Sequence, residues 1–575
     1  MTPGGYRISL PRSIAGPAPD LPSGAIYSHA TMTVWTEEPV ISLGGHGCII
    51  GRIFTRELPS RRVEVADPEM VDAIVRTDGR VLLNEYWGGY VLALVGQGNR
   101  AIILRDPSGQ MSCYFRRGAT TVELAADITD LAAPGPMGAD YTELARYLAS
   151  IDAPGRATCA TGVEELIAGE AIVVTKGNID IESWWSPWDY ITPPNRRSFA
   201  ETVEEVRHVA FDCIDSWAGC FGNVLVGVSG GLDSSIVAAC ARERANLRCL
   251  THVGPDFEGD ERRYARALTD HLEMELHEAH YDLAEIDIMR PIAPHHSWPN
   301  APLFRQATEA MQMRACRDGE INAIFSGNGG DGIFCSMRSA TPFVDRFLVE
   351  GPQISLGETL GDICELTGAD TFTVLRHAWR RYRSLDANYP IRWNRLGLAG
   401  ERLGSLMAAG SRHPWLSVPP DALPGKTAHI AYLMRSHRSL ELYPRRRAPP
   451  HIAPLLSQPL VELCLSIPTW HWIRGGRDRS VARAAFEDHL PAMVLRRTHK
   501  GGPGGFNRSI YDRWKDEIAS LLRGGRLVAA NIVDPAFLDE PDDPDWRHSD
   551  RADRLLSFVA AETWSGWWEV EGVSS

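Results

Sequence analysis

Two glycine-rich loops are the parts of this sequence with the clearest chemical potential. In the first, VLVGVSGGLDSSIVAAC (residues 224–240), an apolar run breaks at a Ser-Gly-Gly turn and continues as a helix. Such a turn lets several backbone N–H groups point at one place, and the helix amino terminus adds partial positive charge. The loop therefore predicts an anion site, with hydroxyl donors from Ser229, Ser234 and Ser235.

Asp233 is the unusual member of this first loop. A carboxylate beside a phosphate repels it unless a cation lies between them, so the residue predicts Mg²⁺. The lysine of the GxxxxGK[ST] pattern is absent, which excludes the phosphate loop of γ-phosphate-cleaving NTPases. A lone Gly-Gly pair would more often be an ordinary turn, but SGGLDSS is more specific than that.

A second loop, in AIFSGNGGDGIF (residues 323–334), follows another predicted strand. Ligands of open α/β sheets bind beyond the carboxyl ends of the strands, so both loops can face one pocket. Asp331 then supplies a second carboxylate to Mg²⁺. Alone, SGNGGD is more often a turn than a site; the pair of loops favours a site.

The elements around these loops predict a mixed α/β and α+β chain. Strands alternate with helical stretches from NVLVGV to INAIFSG, which indicates a parallel sheet, and the chain from about 340 to 575 is mainly helical. Residues up to about 190 carry short β-type runs such as GGYVLALVG, typical of stacked antiparallel sheets. We expect no strand in the first forty or so proline-rich residues, and ITPPNRRS predicts a linker.

Composition excludes several classes of function. The 575-residue chain has a net charge of −14 and no run of 18 apolar residues, so we expect neither a nucleic-acid partner nor a membrane span. The amino terminus lacks the pattern of a secretory signal, which predicts a cytoplasmic location. The eleven cysteines form no CxxC pairs, so buried thiols are expected rather than disulfides or zinc ligands.

The two loops together resemble the synthetase domain of the asparagine synthetase family, whose second loop reads SGxGxDxxF. The resemblance extends to RSLELYPRRRAPPHIAPLLSQPLVELCLSIP (438–468) and LPAMVLRRTHKGG (490–502). It implies an Ntn-hydrolase-like antiparallel β-sandwich domain (1–190), a linker (191–200) and an ATP pyrophosphatase domain (201–575). The last is an adenine-nucleotide α-hydrolase-like parallel sheet with a helical carboxyl-terminal part.

The resemblance also implies the site. ATP would adenylate a carboxylate and release pyrophosphate, with Lys500 neutralising the acyl-adenylate and its departing phosphates. Mg²⁺ would be held by Asp233 and Asp331. The expected ATP-binding residues are Val228, Ser229, Gly230, Gly231, Asp233, Ser234, Val253, Ser326 and Gly327.

The amino-terminal region, through GGHGCIIGRIF, EYWGGYVLALV and AIILRDPSGQMSCYF, resembles the glutamine-hydrolysing domain of that family. That hydrolase uses a cysteine directly after the initiator methionine as its nucleophile. Here residue 2 is Thr2, and Cys48 and Cys113 lie in strand-like segments. The domain is therefore expected to be degenerate, and the attacking amine is not ammonia from glutamine.

Two branches of the family resemble this chain in lacking that cysteine: β-lactam synthetases and lasso peptide cyclases. Where β-lactam synthetases have a tyrosine in the second loop, this chain has Asn328, whose amide cannot accept a proton usefully. The GNGGD loop favours the cyclases, which join an Asp or Glu side chain of a core peptide to its amino terminus. A precursor peptide, a leader peptidase and a leader-binding protein are the partners so implied. A β-lactam synthetase, or a non-catalytic partner that binds the leader or the peptidase, remains the alternative.

The group that accepts the amine proton is left open. His295 and His296 titrate in a suitable range, although local packing is the favoured interpretation of both. Glu365 and Glu441 are carboxylate candidates, and the resemblance favours Glu441. The catalytic residues expected from the sequence are Lys500, Glu441 and Asn328. Several tryptophans could line a peptide cavity but are more often core; they are Trp470, Trp472, Trp564, Trp567 and Trp568.

Overall fold

The computed structural model describes residues 5–12, 23–131, 137–191, 198–255, 259–299, 302–385, 389–440, 448–499, 501–540 and 550–570. Within them, the first part of the chain forms two antiparallel sheets. One has the strand order β11-β9-β10-β1-β3-β2 and the other β13-β12-β8-β7-β5-β4, with β6 paired to β5. The strands are β1 (Tyr6–Pro11), β2 (Tyr27–His29), β3 (Met32–Thr36), β4 (Val40–Ser42), β5 (Gly47–Thr55), β6 (Arg62–Val63), β7 (Tyr86–Val95), β8 (Ala101–Arg105), β9 (Tyr114–Arg117), β10 (Thr121–Ala125), β11 (Val163–Glu165), β12 (Glu170–Thr175) and β13 (Asn178–Ser183).

The expectation that no strand occurs in the first forty residues is wrong. β1 lies in the middle of its sheet, paired with both β3 and β10. Its sequence YRISLP alternates buried and more exposed residues, the period expected of a strand with one face on the core. The strand is short, ends at a proline and is followed in sequence by a proline-rich stretch. The alternation of buried and exposed residues is therefore hard to recognise from the sequence.

β7 shows how the two antiparallel sheets connect to the rest of the chain. Val91, Ala93 and Val95 pack into the core between the two sheets. Tyr90 and Leu92, on the opposite face, belong to the large core shared with the carboxyl-terminal part. A strand buried on both faces reads as a continuous apolar run, as YVLALV does.

The second part of the chain contains the parallel sheet that the strand–helix alternation predicts. Its order among described residues is β16-β15-β14-β17-β18, and each neighbouring pair is parallel. Parallel strands place their carboxyl ends at one edge, where the loops after β14 and β17 meet. The strands are β14 (Asn223–Gly227), β15 (Asn246–Val253), β16 (Leu276–His280), β17 (Ala323–Phe325) and β18 (His451–Ile452).

Helices connect these strands and form most of the carboxyl-terminal part, as expected. Those before and between the strands are α1 (Pro68–Arg76), α2 (Val81–Glu85), α3 (Tyr141–Ala149), α4 (Phe199–Ala218), α5 (Leu232–Ala241), α6 (Arg262–His271) and α7 (Arg305–Asp318). The later ones are α8 (Gly330–Ile333), α9 (Thr341–Glu350), α10 (Ser355–Thr367), α11 (Thr371–Tyr382), α12 (Gly400–Ala409), α13 (Pro424–His437), α14 (Gln458–Ser466), α15 (Ser480–Ala485), α16 (Ala492–Leu495), α17 (Gly504–Arg523), α18 (Arg526–Ala529), α19 (Pro535–Asp539) and α20 (Asp550–Val570).

Polar contacts as well as apolar packing join the antiparallel sheets to the parallel-sheet region. Trp217 of α4 packs edge-on against Trp87 of β7 and donates its indole N–H to Ser457. Gln110 donates its side-chain amide to the Ala453 carbonyl at 2.6 Å and accepts from the Ala453 amide at 3.2 Å. Most of the proposed linker (191–200) lies outside the described residues, so the domain boundaries stay a prediction.

Within the described residues, no helix is both long and apolar enough to pass through a bilayer. All eleven cysteines are free thiols, and most are buried, as the sequence predicts.

Candidate active site

The first loop (residues 228–231) has the geometry of an anion cradle. It leaves β14 and enters α5, whose amino-terminal cap is Gly231. The Ser229 hydroxyl accepts from the Gly231 amide at 3.2 Å and lies 3.3 Å from the Ser234 hydroxyl. Gly230 has a φ of +60°, and a Cβ there would collide with Tyr264 of α6, so the turn requires glycine.

The second loop (residues 326–329) packs directly against the first. A Cβ on Gly327 would lie 2.5 Å from the Ser234 backbone nitrogen, and one on Gly330 would overlap the Asp233 side chain. The close approach is available only to glycine. The structure thus brings together the two loops, as their positions after parallel strands predict.

Asp233 and Asp331 face each other across this junction and share one cation, Arg479. Its Nη1 lies 2.9 Å from Asp233 Oδ2 and 2.7 Å from Asp331 Oδ1. These carboxylates, together with Asp478, raise the pKa of the Arg479 guanidinium against the opposing effect of burial. Arg479 has a left-handed φ of 54°, an uncommon backbone conformation for a side chain of this size. The two aspartates are therefore close enough to hold one cation jointly.

A cavity of about 620 Å³ opens over the two loops, and we call it the loop cavity. Its described lining includes three carboxylates, Asp233, Glu261 and Asp331, and a larger set of arginines at 305, 435, 479, 483 and 497. The excess of guanidinium groups favours an anionic ligand. A volume of this size is in the range of small-molecule sites.

Arg497 ties the carboxyl-terminal part to the first loop. It donates to the Ser229 carbonyl at 2.7 Å, pairs with Glu261, and lies 4.1 Å from the Tyr264 ring centroid. Glu261 also accepts from the Gly501 amide at 3.1 Å. These contacts hold Arg497 and Gly501 against the rim of the loop cavity.

Most of the ATP-binding residues expected from the sequence line the loop cavity. They are Val228, Ser229, Gly231, Asp233, Ser234, Ser326 and Gly327, and Asp331 is with them. Gly230 instead packs on α6, and the Ser235 hydroxyl is turned inward to the Gly231 carbonyl at 2.8 Å.

Val253 was expected to cradle adenosine through its backbone. Val253 is buried and its carbonyl accepts from the Tyr281 amide, whereas its neighbours His252 and Gly254 line the cavity. The role of the Val253 backbone stays a prediction.

Two of the expected catalytic residues, Lys500 and Glu441, lie outside the described residues. Thr498, His499 and Gly501, which flank Lys500 in sequence, line the loop cavity. The roles of Lys500 and Glu441 remain predictions.

Asn328, the third expected catalytic residue, lines the loop cavity but has partners of its own. Its side-chain amide donates to the Ser439 carbonyl at 3.0 Å, and its Oδ1 accepts from the Gly329 amide at 3.0 Å. The residue therefore fixes the second loop to the end of the α13 region. The two contacts use the N–H donor and the carbonyl acceptor of the Asn328 side chain.

The remaining proton-acceptor candidates lie away from the described lining of the loop cavity. His295 and His296 are both buried, and burial lowers the pKa of His296 to about 4. Glu365 lies beside Gly476 and is not among the described residues that line the loop cavity. The local-packing interpretation of the two histidines is thus the better one. The indole rings of Trp472, Trp564 and Trp568 are core, as expected.

The expected loss of glutaminase chemistry fits the two thiols in the antiparallel sheets. Burial raises the pKa of Cys48 to about 12 and that of Cys113 to about 11. Thiols held neutral in this way are poor nucleophiles. Thr2 lies outside the described residues.

A second cavity, of about 670 Å³, adjoins the loop cavity, and we call it the arginine cavity. Tyr432 and Arg435 of α13 line both. Arg435 is fixed by Asp152, which accepts from its Nε and Nη2 at 2.6 Å each, and by the Tyr389 hydroxyl. Asp152 follows α3, so the antiparallel region orients a residue on the boundary between the cavities.

Comparison with known proteins defines the family. The asparagine synthase family model matches residues 220–397 and 451–566, about half of the chain. The chain therefore belongs to the asparagine synthase family, in agreement with the resemblance of its loops.

A relative and two solved structures give coarser likenesses. Carboxyethyl-arginine β-lactam synthase of Streptomyces clavuligerus is 26% identical over 298 residues, 49% of this chain and 54% of that protein. The chain thus matches about half the length of this relative.

The glutamine phosphoribosylpyrophosphate amidotransferase of B. subtilis matches 56% of this chain and 84% of its own at 10% identity, with a TM-score of 0.21. A glutamine-dependent NAD⁺ synthetase from Acinetobacter baumannii matches 46% and 66% at 13% identity, with a TM-score of 0.18. Scores this low carry no conclusion about function.

The residues that sequence reasoning missed are mostly arginines. Arg479 and Arg483 lie in RGGRDRSVARAAF, whose Gly-Gly pair follows no predicted strand and whose basic residues are typical of an ordinary helix start. Arg497 stands three residues before Lys500, inside a stretch that the resemblance covered. Their roles depend on long-range contacts to the two loops, which no local pattern reveals.

Proposed function

We propose that this protein is an ATP-dependent ligase that forms a macrolactam within a peptide. ATP activates an Asp or Glu side-chain carboxylate as the acyl-adenylate, with release of pyrophosphate. The amino-terminal amine then attacks the acyl carbon, forms the amide, releases AMP and loses one proton. The observation that carries the proposal is the convergence of both glycine loops, two aspartates and a set of arginines on one cavity.

The loop cavity offers the groups that this reaction requires. The amides and hydroxyls of the first loop suit the β,γ-phosphates of ATP, at the amino terminus of α5. Arg479 and Arg497 supply fixed positive charge beside them. Lys500, between residues that line the cavity, is proposed to neutralise the charge that develops when pyrophosphate or AMP departs.

The donor set around the two aspartates fits Mg²⁺. Asp233 and Asp331 share a single guanidinium nitrogen, so their oxygens already converge on one cation. No cluster of three or more metal-ligating side chains occurs in the described parts of the chain, which suits an ion that takes its other ligands from phosphate and water. When bound, Mg²⁺ would neutralise the phosphates of ATP.

A peptide substrate is favoured over a small amino acid by two observations. The arginine cavity provides about 670 Å³ directly beside the loop cavity, enough for part of a peptide chain. Asn328 occupies the second-loop position expected to be tyrosine in a β-lactam synthetase, and its amide is used to anchor the loop. These observations support a lasso peptide cyclase. A leader peptidase and a leader-binding protein are its proposed partners.

A β-lactam synthetase acting on a small β-amino acid is the second candidate. The similarity to carboxyethyl-arginine β-lactam synthase supports it. Both candidates share the adenylation step and differ in the size of the acid that is activated.

The test is to incubate the purified chain with Mg-ATP and linear peptides that carry an Asp or Glu several residues from a free amino terminus. Peptide mass and nucleotide products are followed together, with and without leader peptidase. We expect the peptide to lose one water for each AMP formed, and Lys500→Ala to abolish both. Lys515→Ala, at an exposed position of α17 outside the described lining of the loop cavity, is the matched control and should retain activity.

The alternatives give different results. AMP formation with a small β-amino acid but with no peptide would replace the proposal by β-lactam synthesis. A third outcome would establish a non-catalytic partner. In that case neither acid causes ATP consumption, and Lys500→Ala leaves binding of the peptide or the peptidase unchanged.

A further inference from the structure

The lining of the arginine cavity is strongly one-sided in charge. Arg338, Arg380, Arg381, Arg392 and Arg435 line it, with His377 beside them, and its described lining contains no aspartate or glutamate. Surface charges are normally interspersed, so a concave set of one sign is an electrostatic trap for the opposite sign.

Four of the arginines that line the cavity form no ion pair within the described residues. Among the described residues, no carboxylate lies within ion-pair distance of Arg338, Arg380, Arg381 or Arg392. Arg381 makes one long hydrogen bond, 3.4 Å, to the Ser384 carbonyl. Burial lowers the pKa of its guanidinium, although Asp345 partly opposes this. By contrast, Arg435 is neutralised by Asp152.

One face of α11 lines the arginine cavity, and its other face is exposed. Thr373, Val374, His377, Arg380 and Arg381 line the arginine cavity. The other face of α11 carries exposed apolar residues, with Arg376 and Arg383 outside the cavity lining. The helix therefore carries two arginines that line the cavity and one, Arg376, that does not, and Arg383 follows directly after its end.

We propose that the arginine cavity binds a carboxylate of the peptide substrate other than the one that is adenylated. The inference rests on the proposed function and names a chemical feature of its substrate. Guanidinium groups bind carboxylates through paired N–H donors, and several around one concavity favour an acidic peptide segment. The bound carboxylate is an acidic side chain or the carboxyl terminus of the peptide.

Because the arginine cavity lies beside the loop cavity, a carboxylate bound in it would orient the substrate. The two cavities meet at Tyr432 and Arg435, so one end of a peptide can be anchored in the arginine cavity while another carboxylate reaches the loop cavity. Anchoring at a distance from the reacting atoms raises the local concentration of the acid to be activated.

The test measures binding without turnover, by fluorescence anisotropy in Mg²⁺ and a non-hydrolysable ATP analogue. Three dye-labelled hexapeptides are compared: Gly-Asp-Gly-Asp-Gly-Ser with a free carboxyl terminus, the same peptide as a carboxamide, and Gly-Asn-Gly-Asn-Gly-Ser as a carboxamide. We expect at least one carboxylate-bearing probe to bind ten-fold or more tightly than the last. The first two probes distinguish the terminal carboxylate from the side chains.

The double variant Arg380→Gln/Arg381→Gln should weaken binding of the acidic probe at least ten-fold. Arg376→Gln/Arg383→Gln removes the same charge from the same region of the chain and should leave binding unchanged. Equal binding of all three probes, or equal loss in both double variants, would overturn the inference.

The outcome is independent of the proposed ligase activity. AMP-linked cyclisation with no preference for acidic probes would refute the cavity assignment alone. Arginine-dependent binding of acidic probes in a chain that never consumes ATP would retain the carboxylate site and remove the ligase proposal.

Discussion

Replacing Arg479 by glutamine tests the arrangement of the two aspartates directly. Arg479 Nη1 contacts Asp233 at 2.9 Å, and both side chains are largely buried, with exposed fractions of 15% and 10%. At an effective dielectric constant of about 20, unit charges this close attract by about 6 kcal/mol before desolvation is counted. The contact with Asp331 adds less than about 1 kcal/mol, because that carboxylate is 56% exposed.

Removing the arginine leaves Asp233 buried beside another carboxylate. Loss of one partner of a buried pair costs about 3–5 kcal/mol, so the free energy of unfolding of Arg479→Gln without Mg²⁺ should fall by about that amount. The measurement is urea unfolding in EDTA. Arg477→Gln, two residues away and exposed, is the matched control and should change the free energy by less than about 0.5 kcal/mol.

The same variant makes a second prediction about Mg²⁺. Without the guanidinium, both carboxylates are available, so 10 mM MgCl₂ should stabilise Arg479→Gln more than the wild type. A dissociation constant of about 1 mM would give about 1.4 kcal/mol. An identical response of both proteins to Mg²⁺, or an unchanged free energy of unfolding in EDTA, would refute the shared-cation interpretation.

Three further perturbations follow from the structure. Gly327→Ala should lower ATP–pyrophosphate exchange more than ten-fold, because the new methyl group separates the two loops; Gly357→Ala, in an open helical position, should leave exchange unchanged. Asp152→Asn should lower the free energy of urea unfolding by about 3 kcal/mol, since it removes the buried counterion of Arg435; no change would show that the pair is not stabilising. Burial lowers the pKa of His429 to about 3, below the unfolded value near 6.5. The contribution of neutral His429 to the free energy of unfolding is therefore complete above pH 6.5 and is lost as the pH falls towards 3. Between pH 7 and pH 5 the free energy of unfolding should fall by about 2 kcal/mol from this residue. His429→Gln should show a correspondingly weaker pH dependence in urea titrations, and an equal dependence in both proteins would contradict the prediction.

The parts of the fold that sequence reasoning predicted are those with local signals. The strand–loop–helix around Ser229 combines an apolar run, two glycines and a helix within seventeen residues, and the structure contains that arrangement. β1 was missed because its six residues alternate only briefly before a proline-rich stretch. Tertiary pairing with β3 and β10 determines that strand, and no local pattern records the pairing.

The residues of the candidate site also include some that a local sequence pattern predicts and others that it does not. Asp233 and Asp331 could be named from the sequence because each stands in a glycine loop after a predicted strand, and parallel strands end at one edge. Arg479 could not, since it follows the second aspartate by 148 residues and reaches the site only through the packing of α15. Val253 was expected to contribute its backbone, and that role stays a prediction, with its neighbours His252 and Gly254 lining the cavity.

By itself, the sequence determined the family, the two loops and the kinds of group they present, because glycine turns, apolar periodicity and residue type act over short distances. Tertiary structure decided which charges meet. It placed Arg479 between the aspartates, set Asp152 against Arg435, and gathered five arginines around a second cavity. Electrostatic interactions depend on separation in space and on exclusion of water, and both are properties of the folded chain.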